Sequence, residues 1–222
     1  MLSTYIADFE QLGLSDIEQV GAKNAHHGEM RRSLAAAGVE VPPGFATTAD
    51  AYRDFLSQSG LDVKIETALD GLDVENMNQL ADTGSVIRQW IMETPFQPLL
   101  EQQISDTLLS LPGLGAEASV AVRSSAIAED LPEASFAGQQ ESYLNIAGVN
   151  NVTLAIKHVF ASLFNDRAIA YRVHRSIPHR DVALSVGIQR MIRSETGSSG
   201  VMFTLDTESG FKDLVFISAV YG

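Results

Sequence analysis

An apolar strand pattern through Val120 and Val122 runs straight into Arg123, Ser124 and Ser125. A loop of small residues follows, with Pro132 and Gly138, before a second strand pattern through Tyr143, Leu144 and Ile146. Strand ends that feed Gly- and Ser-bearing loops present backbone N–H groups and a cation to a phosphate. An arginine there is permanently charged and forked, which suits two phosphoryl oxygens at once. The alternative is that Arg123 pairs with Glu129 or Asp130 and ties the loop down, and spacing alone leaves both open. Lys23 stands at the amino end of a helix expected over Ala25–Ala37, where the macrodipole disfavours a cation. A lysine in that place makes sense if an anion shares the site; otherwise it is a solvated lysine at a frayed end. Gln189 ends a strand face made of Ala183, Ser185 and Gly187, where its amide suits an adenine edge or a ribose. The opposite face, Val182, Leu184, Val186 and Ile188, is core, and the small face is expected to leave room for a planar ligand.

The elements that must position these residues are legible in outline. Residues 4–12 read as a short strand, and Gly38 stops the first helix. Thr47 or Thr48 caps a helix over Ala49–Ser59; both threonines could line a pocket, but capping is the expectation. Residues 62–111 carry helical periodicity, with Ile87, Trp90 and Ile91 on one stretch and Leu99, Leu100, Ile104 and Leu108 after a break at Pro95–Pro98. Trp90 is expected in the core. Helices are expected over Asn151–Phe164 and Arg167–Val173, and strands over 182–188, Gly200–Leu205 and Asp213–Ala219, the last two joined through a turn at Gly210. Arg172, His174, Arg175, His179 and Arg180 form a basic cluster, expected to be a solvated helix end, with a second phosphate site as the alternative. His26 and His27 have no partner at metal-ligand spacing and read as surface, with His27 intruding into the site as the alternative.

The chain has 222 residues, 45% hydrophobic and 19% charged, ample for a globular core. It has no cysteine, which excludes a disulfide framework and a thiol nucleophile. No apolar run is long enough to span a bilayer as a helix, and the first residues lack a signal-peptide progression, so a cytoplasmic enzyme is expected. The formal charge of −13 argues against nucleic acid or an anionic membrane as partner. A nucleotide remains open, because a few local cations can hold a phosphate chain on an acidic protein.

The run VRSSAIAEDLPEASFAGQQESYLNI resembles the signature loop of the ATP-binding domain shared by phosphoenolpyruvate synthases and pyruvate phosphate dikinases. Rifampicin phosphotransferases carry a relative of it. VGAKNAHHGEMRRSLAAAGVEVPPGFATTADAY is similar to the family's opening motif, whose lysine contacts ATP phosphates. SGVMFTLDTESGF and LVFISAVYG look like phosphoenolpyruvate synthase. The likeness runs from about Val20 to Gly222. It implies an α+β, ATP-grasp-like nucleotide-binding domain with mixed sheets and a helical insertion, divided into 1–112 and 113–222. It also implies ATP and Mg2+ as cofactors. Lys23 and Arg123 would neutralise phosphate charge, Gly138 would admit the loop backbone, and Ser142 would place a hydroxyl where threonine is usual. Gln189 would sit at the nucleoside end.

The family reaction makes phosphoenolpyruvate, AMP and phosphate from ATP, pyruvate and water through a phosphohistidine. By resemblance the histidine and pyruvate domains are absent from this chain, pyruvate binds only through them, and the magnesium ligands lie beyond Gly222. The chain therefore reads as an amino-terminal piece, incomplete as a domain and inactive alone. Three departures stand out: Ala22 for glycine, the His26–His27 pair, and Ile127 for threonine. Ala22 would be strained if its position needs positive φ. The alternatives are a phosphotransferase for another acceptor, like the rifampicin enzymes, and a non-catalytic nucleotide-binding remnant.

Overall fold

The computed structural model describes residues 5–113, 119–127, 130–131, 134–135 and 141–221. Gly138, Glu129 and the side chain of Asp130 lie outside that description. The chain divides into two compact units, Met1–Met191 and Ile192–Gly222.

The first unit opens with β1 (Ile6–Asp8), α1 (Ile17–Ala35) and β2 (Gly44–Thr47). Four helices follow, α2 (Ala49–Gln58), α3 (Leu61–Leu69), α4 (Met77–Glu93) and α5 (Pro98–Ser110). Thr48 is the cap of α2, its hydroxyl accepting from the Ala51 amide at 3.2 Å. Thr47 is instead buried inside β2, where its hydroxyl accepts from the Val186 amide at 3.0 Å. Pro98 opens α5 at a position whose N–H has no helical partner to lose. Then come β3 (Val120–Ala126), the two-residue strands β4 (Asp130–Leu131) and β5 (Ala134–Ser135), and β6 (Ser142–Ile146). The unit closes with α6 (Val149–Ser162), α7 (Asp166–His174) and β7 (Leu184–Arg190). Among the described residues no helix is long and apolar enough to cross a membrane.

The architecture is α+β, as expected, but the pairing is antiparallel where mixed sheets were anticipated. One five-stranded sheet runs in the order β1-β2-β7-β3-β6, and every pair in it is antiparallel. The central position of β7, between β2 and β3 and against both, sets this. Alternation then gives the sheet two unlike faces. Ile6, Phe45, Val120, Val122, Leu184, Val186 and Ile188 join one continuous core with Phe55, Ile91, Leu100, Ile104, Val159 and Phe160 from the helices. Trp90 is only half-buried against that core, with Lys64 Nζ 3.8 Å from its ring centre. The other face is built from Ala46, Gly187, Ser185, Ser125 and Arg123, and α1 lies on it through Val20 and Ala25.

The second unit is a hairpin of β8 (Ser198–Phe203) and β9 (Phe216–Tyr221), in register from Ser198 opposite Tyr221 to Phe203 opposite Phe216. Its turn is closed by the Gly210 amide on the Asp206 carbonyl at 2.8 Å, with Gly210 at φ +74.

Candidate functional site

The helix α1 is broken where it meets the sheet. Gly21 has φ +73 and ψ 160, so the chain turns once and the helix restarts at Ala22, three residues ahead of the expected start at Ala25. A Cβ on Gly21 would lie 2.2 Å from Ser125 Oγ and 2.7 Å from the Ser125 carbonyl oxygen. Backbone therefore rests on backbone there. Ala22 is buried and is not among the non-glycine residues with positive φ, so the strain anticipated for it does not arise. The left-handed conformation falls one residue earlier, on a glycine.

Asn24 locks this junction. Its side-chain amide donates to the Val20 carbonyl at 3.1 Å and to Ser185 Oγ at 2.9 Å, while its backbone N–H reaches Ser125 Oγ at 3.5 Å. Ser185 Oγ in turn donates to the Thr47 carbonyl at 2.6 Å. A Cβ on Gly187 would stand 2.2 Å from Asn24 Oδ1. The small face of β7 is thus the seat of α1 over Ser185 and Gly187, and not the open slot for a planar ligand that alternation suggested. Only its Gln189 end is half-exposed.

Arg123 is exposed on a strand otherwise buried from Val120 to Ala126. Its register partners are Ser142 on one side and Gly187 on the other, and directly paired residues share a face. Ser142 is exposed too. Among the described residues no carboxylate pairs with Arg123. Lys23 and His27 are four residues apart in α1, hence on one side of the helix, and Lys23 is exposed. His27 is half-buried against the Phe9 ring, 4.5 Å between centres, and is not a surface histidine like exposed His26. Its Nε2–H donates to the Pro42 carbonyl at 2.9 Å, since a carbonyl only accepts. Burial holds its pKa below the ordinary value against that hydrogen bond, and the charges of Arg123 and Arg31 push the same way. His27 is therefore neutral near pH 7 and within electrostatic reach of Arg123.

The fold accordingly brings Arg123 and Ser142 side by side. Lys23 and His27 sit on the helix that covers the same sheet face. Gln189 shares that face further along β7, opposite Ala121 and Gly44. Sequence reasoning read His27 as surface, with intrusion into the site as the alternative, and gave no seating role to Asn24 and Ser125. The signal for the last two was present as the small side chains at 125, 185 and 187, whose spacing fits a close backbone approach as well as a ligand. Among the described residues no three His, Asp or Glu side chains group as a metal site.

Residues 17–222 match the family described as pyruvate phosphate dikinase, AMP/ATP-binding domain. The chain belongs to that family. Proteins called phosphoenolpyruvate synthase are similar over nearly all of it. The one from Pseudomonas aeruginosa (strain UCBPP-PA14) is 62% identical over 218 residues, 98% of this chain and 28% of the relative. That from Escherichia coli (strain K12) is 57% identical over 214 residues, 96% of the chain and 27% of the relative. That from Synechocystis sp. (strain ATCC 27184 / PCC 6803 / Kazusa) is 49% identical over 220 residues, 96% and 27%. The chain thus spans little more than a quarter of the length of these relatives. Arg123 and Lys23 are cationic side chains, Ser142 carries a hydroxyl and Gln189 an amide. Side chains of these types can engage an anion or a polar ligand by charge and hydrogen bonds.

Proposed function

We propose that this chain is the nucleotide-binding, phosphoryl-donor part of a phosphoenolpyruvate synthase, the enzyme type that converts ATP, pyruvate and water into phosphoenolpyruvate, AMP and phosphate. The observation that carries the reading is Arg123, an exposed guanidinium on a buried strand, beside Ser142 and without a carboxylate among the described residues. That donor set fits a phosphate chain: the fork donates to two oxygens and the hydroxyl to a third. Bound ATP would supply the phosphoryl group, and Mg2+ would enter with it.

In this reading the chain's own residues bind and orient. Arg123 and Lys23 neutralise phosphate charge, and Ser142 fixes one oxygen. Gly138 gives the loop backbone room to approach, and Gln189 takes the nucleoside end. The neutral His27 leaves the cationic charge to Arg123 and Lys23. The stretch 1–112 contributes the lysine and 113–222 the arginine, serine and glutamine, as two parts of one ATP-grasp-like site. Pyruvate and the phosphohistidine would belong to other portions of such an enzyme.

Calorimetric titration with ATP plus magnesium tests this. The wild-type chain should bind, and Arg123→Ala should weaken binding by about 10- to 100-fold, the loss of one charge-assisted pair of hydrogen bonds of about 1.5–3 kcal/mol. A chain that circular dichroism shows to be folded, yet that binds no ATP, would overturn the reading.

A further inference from the structure

The basic cluster at the end of α7 is not simply a solvated helix end. Arg172 is 1% exposed, the largest fully buried side chain among the described residues. Its Nε donates to His179 Nδ1 at 2.8 Å, but Nη1 and Nη2 are buried and have no hydrogen-bond partner among the described residues. Its guanidinium carbon lies 5.5 Å from the centre of the Phe164 ring, and its charge acts on the Tyr52 hydroxyl. Tyr52, Phe164 and His179 all line one cavity of about 920 Å³ between α2, α3 and the segment after α7. Arg172 does not line the cavity itself, but it touches two residues that do, His179 and Phe164.

We propose that this cavity binds a small organic anion whose carboxylate or phosphate is held by Nη1 and Nη2 of Arg172. A buried cation with idle donors is unfavourable, and the two free Nη groups match the two oxygens of an oxyanion. The other cations at the cavity are already engaged: Arg53 pairs with Asp50 at 3.2 Å and Arg180 with Glu66 at 3.8 Å. Leu56, Ile65, Leu69 and Val182 give the cavity apolar walls, which suit an anion with an apolar body over a bare inorganic ion. His179 accepts from Arg172 at Nδ1, so its neutral ring carries the proton on Nε2 and adds a donor. In this proposal the half-buried His179 ring stands between the cavity and Arg172. It would have to give up its hydrogen bond to Arg172 Nε and turn aside for the anion to reach Nη1 and Nη2. None of these residues belongs to the nucleotide site of Lys23, Arg123, Ser142 and Gln189.

The test is an NMR titration of the whole chain with benzoate, acetate and inorganic phosphate at ionic strength matched with chloride, following Arg172 Nε–H and the His179 ring. The expected result is a saturable shift at both groups with benzoate, with a Kd of about 1 mM or below. Acetate and phosphate should bind more weakly, because they leave the apolar walls empty. Arg172→Met should remove the shift at His179, and Arg123→Ala should leave both shifts intact. Shifts that stay linear up to about 50 mM benzoate overturn the proposal. An unchanged His179 response in Arg172→Met overturns it too. Should that variant fail to fold, saturation or its absence at Arg172 Nε–H in the wild-type chain decides alone.

Discussion

At the scale of single residues, the lysine-bearing helix depends on one glycine. Gly21 is left-handed and its missing Cβ leaves room for Ser125, whereas Gly38 is left-handed in open space with nothing within 4 Å. Comparing alanine at the two separates conformational cost from crowding. Gly38→Ala carries only the φ penalty, about 1 kcal/mol. Gly21→Ala adds overpacking against Ser125 and should lose about 2–4 kcal/mol of stability in urea denaturation. Equal losses at the two positions would mean that α1 is not seated on β3 as described. The same geometry answers the question raised by Ala22. A helical, buried alanine is at home there, so this departure from the family pattern is no argument for a degenerate site.

At the scale of elements, the seat between α1 and β7 links stability to the proposed ATP site. Gly187→Ala would drive its methyl into the Asn24 amide, which is held on both sides by Val20 and Ser185. It should cost about 1–3 kcal/mol and, by moving the turn that carries Lys23, weaken ATP binding as well. Gly197→Ala, in open space, should do neither. Thermal denaturation with and without ATP distinguishes the two, and an unaltered Gly187→Ala protein would contradict the contact. Much of this level was legible in the chain. Apolar periodicity gave α2 as Ala49–Ser59 against the observed Ala49–Gln58, and α6 as Asn151–Phe164 against Val149–Ser162. The strand–loop–strand pattern around Arg123 and Tyr143 was legible too, whereas the pairing that sets Ser142 beside Arg123 came only with the structure. What escaped was geometry that periodicity does not encode. A single positive φ at Gly21 moves the helix start, and a strip of small side chains looks the same whether helix or ligand fills it. Charge in a sequence does not reveal burial, so Arg172 read as solvated although its helix turns it toward Phe164 and Tyr52.

For the whole molecule, two half-buried histidines should set the acid limit of stability. Burial depresses both: His27 lies below its ordinary value, and His179 is pushed down to about 4, with Arg172 as the second cause. In the unfolded chain each would titrate near 6.5. Between these values the unfolded state binds protons that the folded state refuses, so stability is full above about pH 6.5 and falls as pH drops toward about 4. His179 is hydrogen-bonded by Arg172 from α7 and shares its cavity lining with the titratable or charged groups Tyr52, Arg53, Asp62, Glu66, Asp70 and Arg180. The formal charge of −13 acts oppositely, since protonation relieves self-repulsion. At about 0.15 M salt that long-range term is screened beyond about 8 Å, whereas the desolvation of the half-buried histidines is local and screened less. The local term should win. Urea denaturation at pH 7 and pH 5 should show the wild-type chain losing on the order of 1 kcal/mol, the half-exposed setting of His179 keeping the figure small. His179→Gln keeps an acceptor for Arg172 Nε but cannot take up a proton, so its loss over the same interval should be visibly smaller. An identical loss in both proteins would assign the acid limit to other groups.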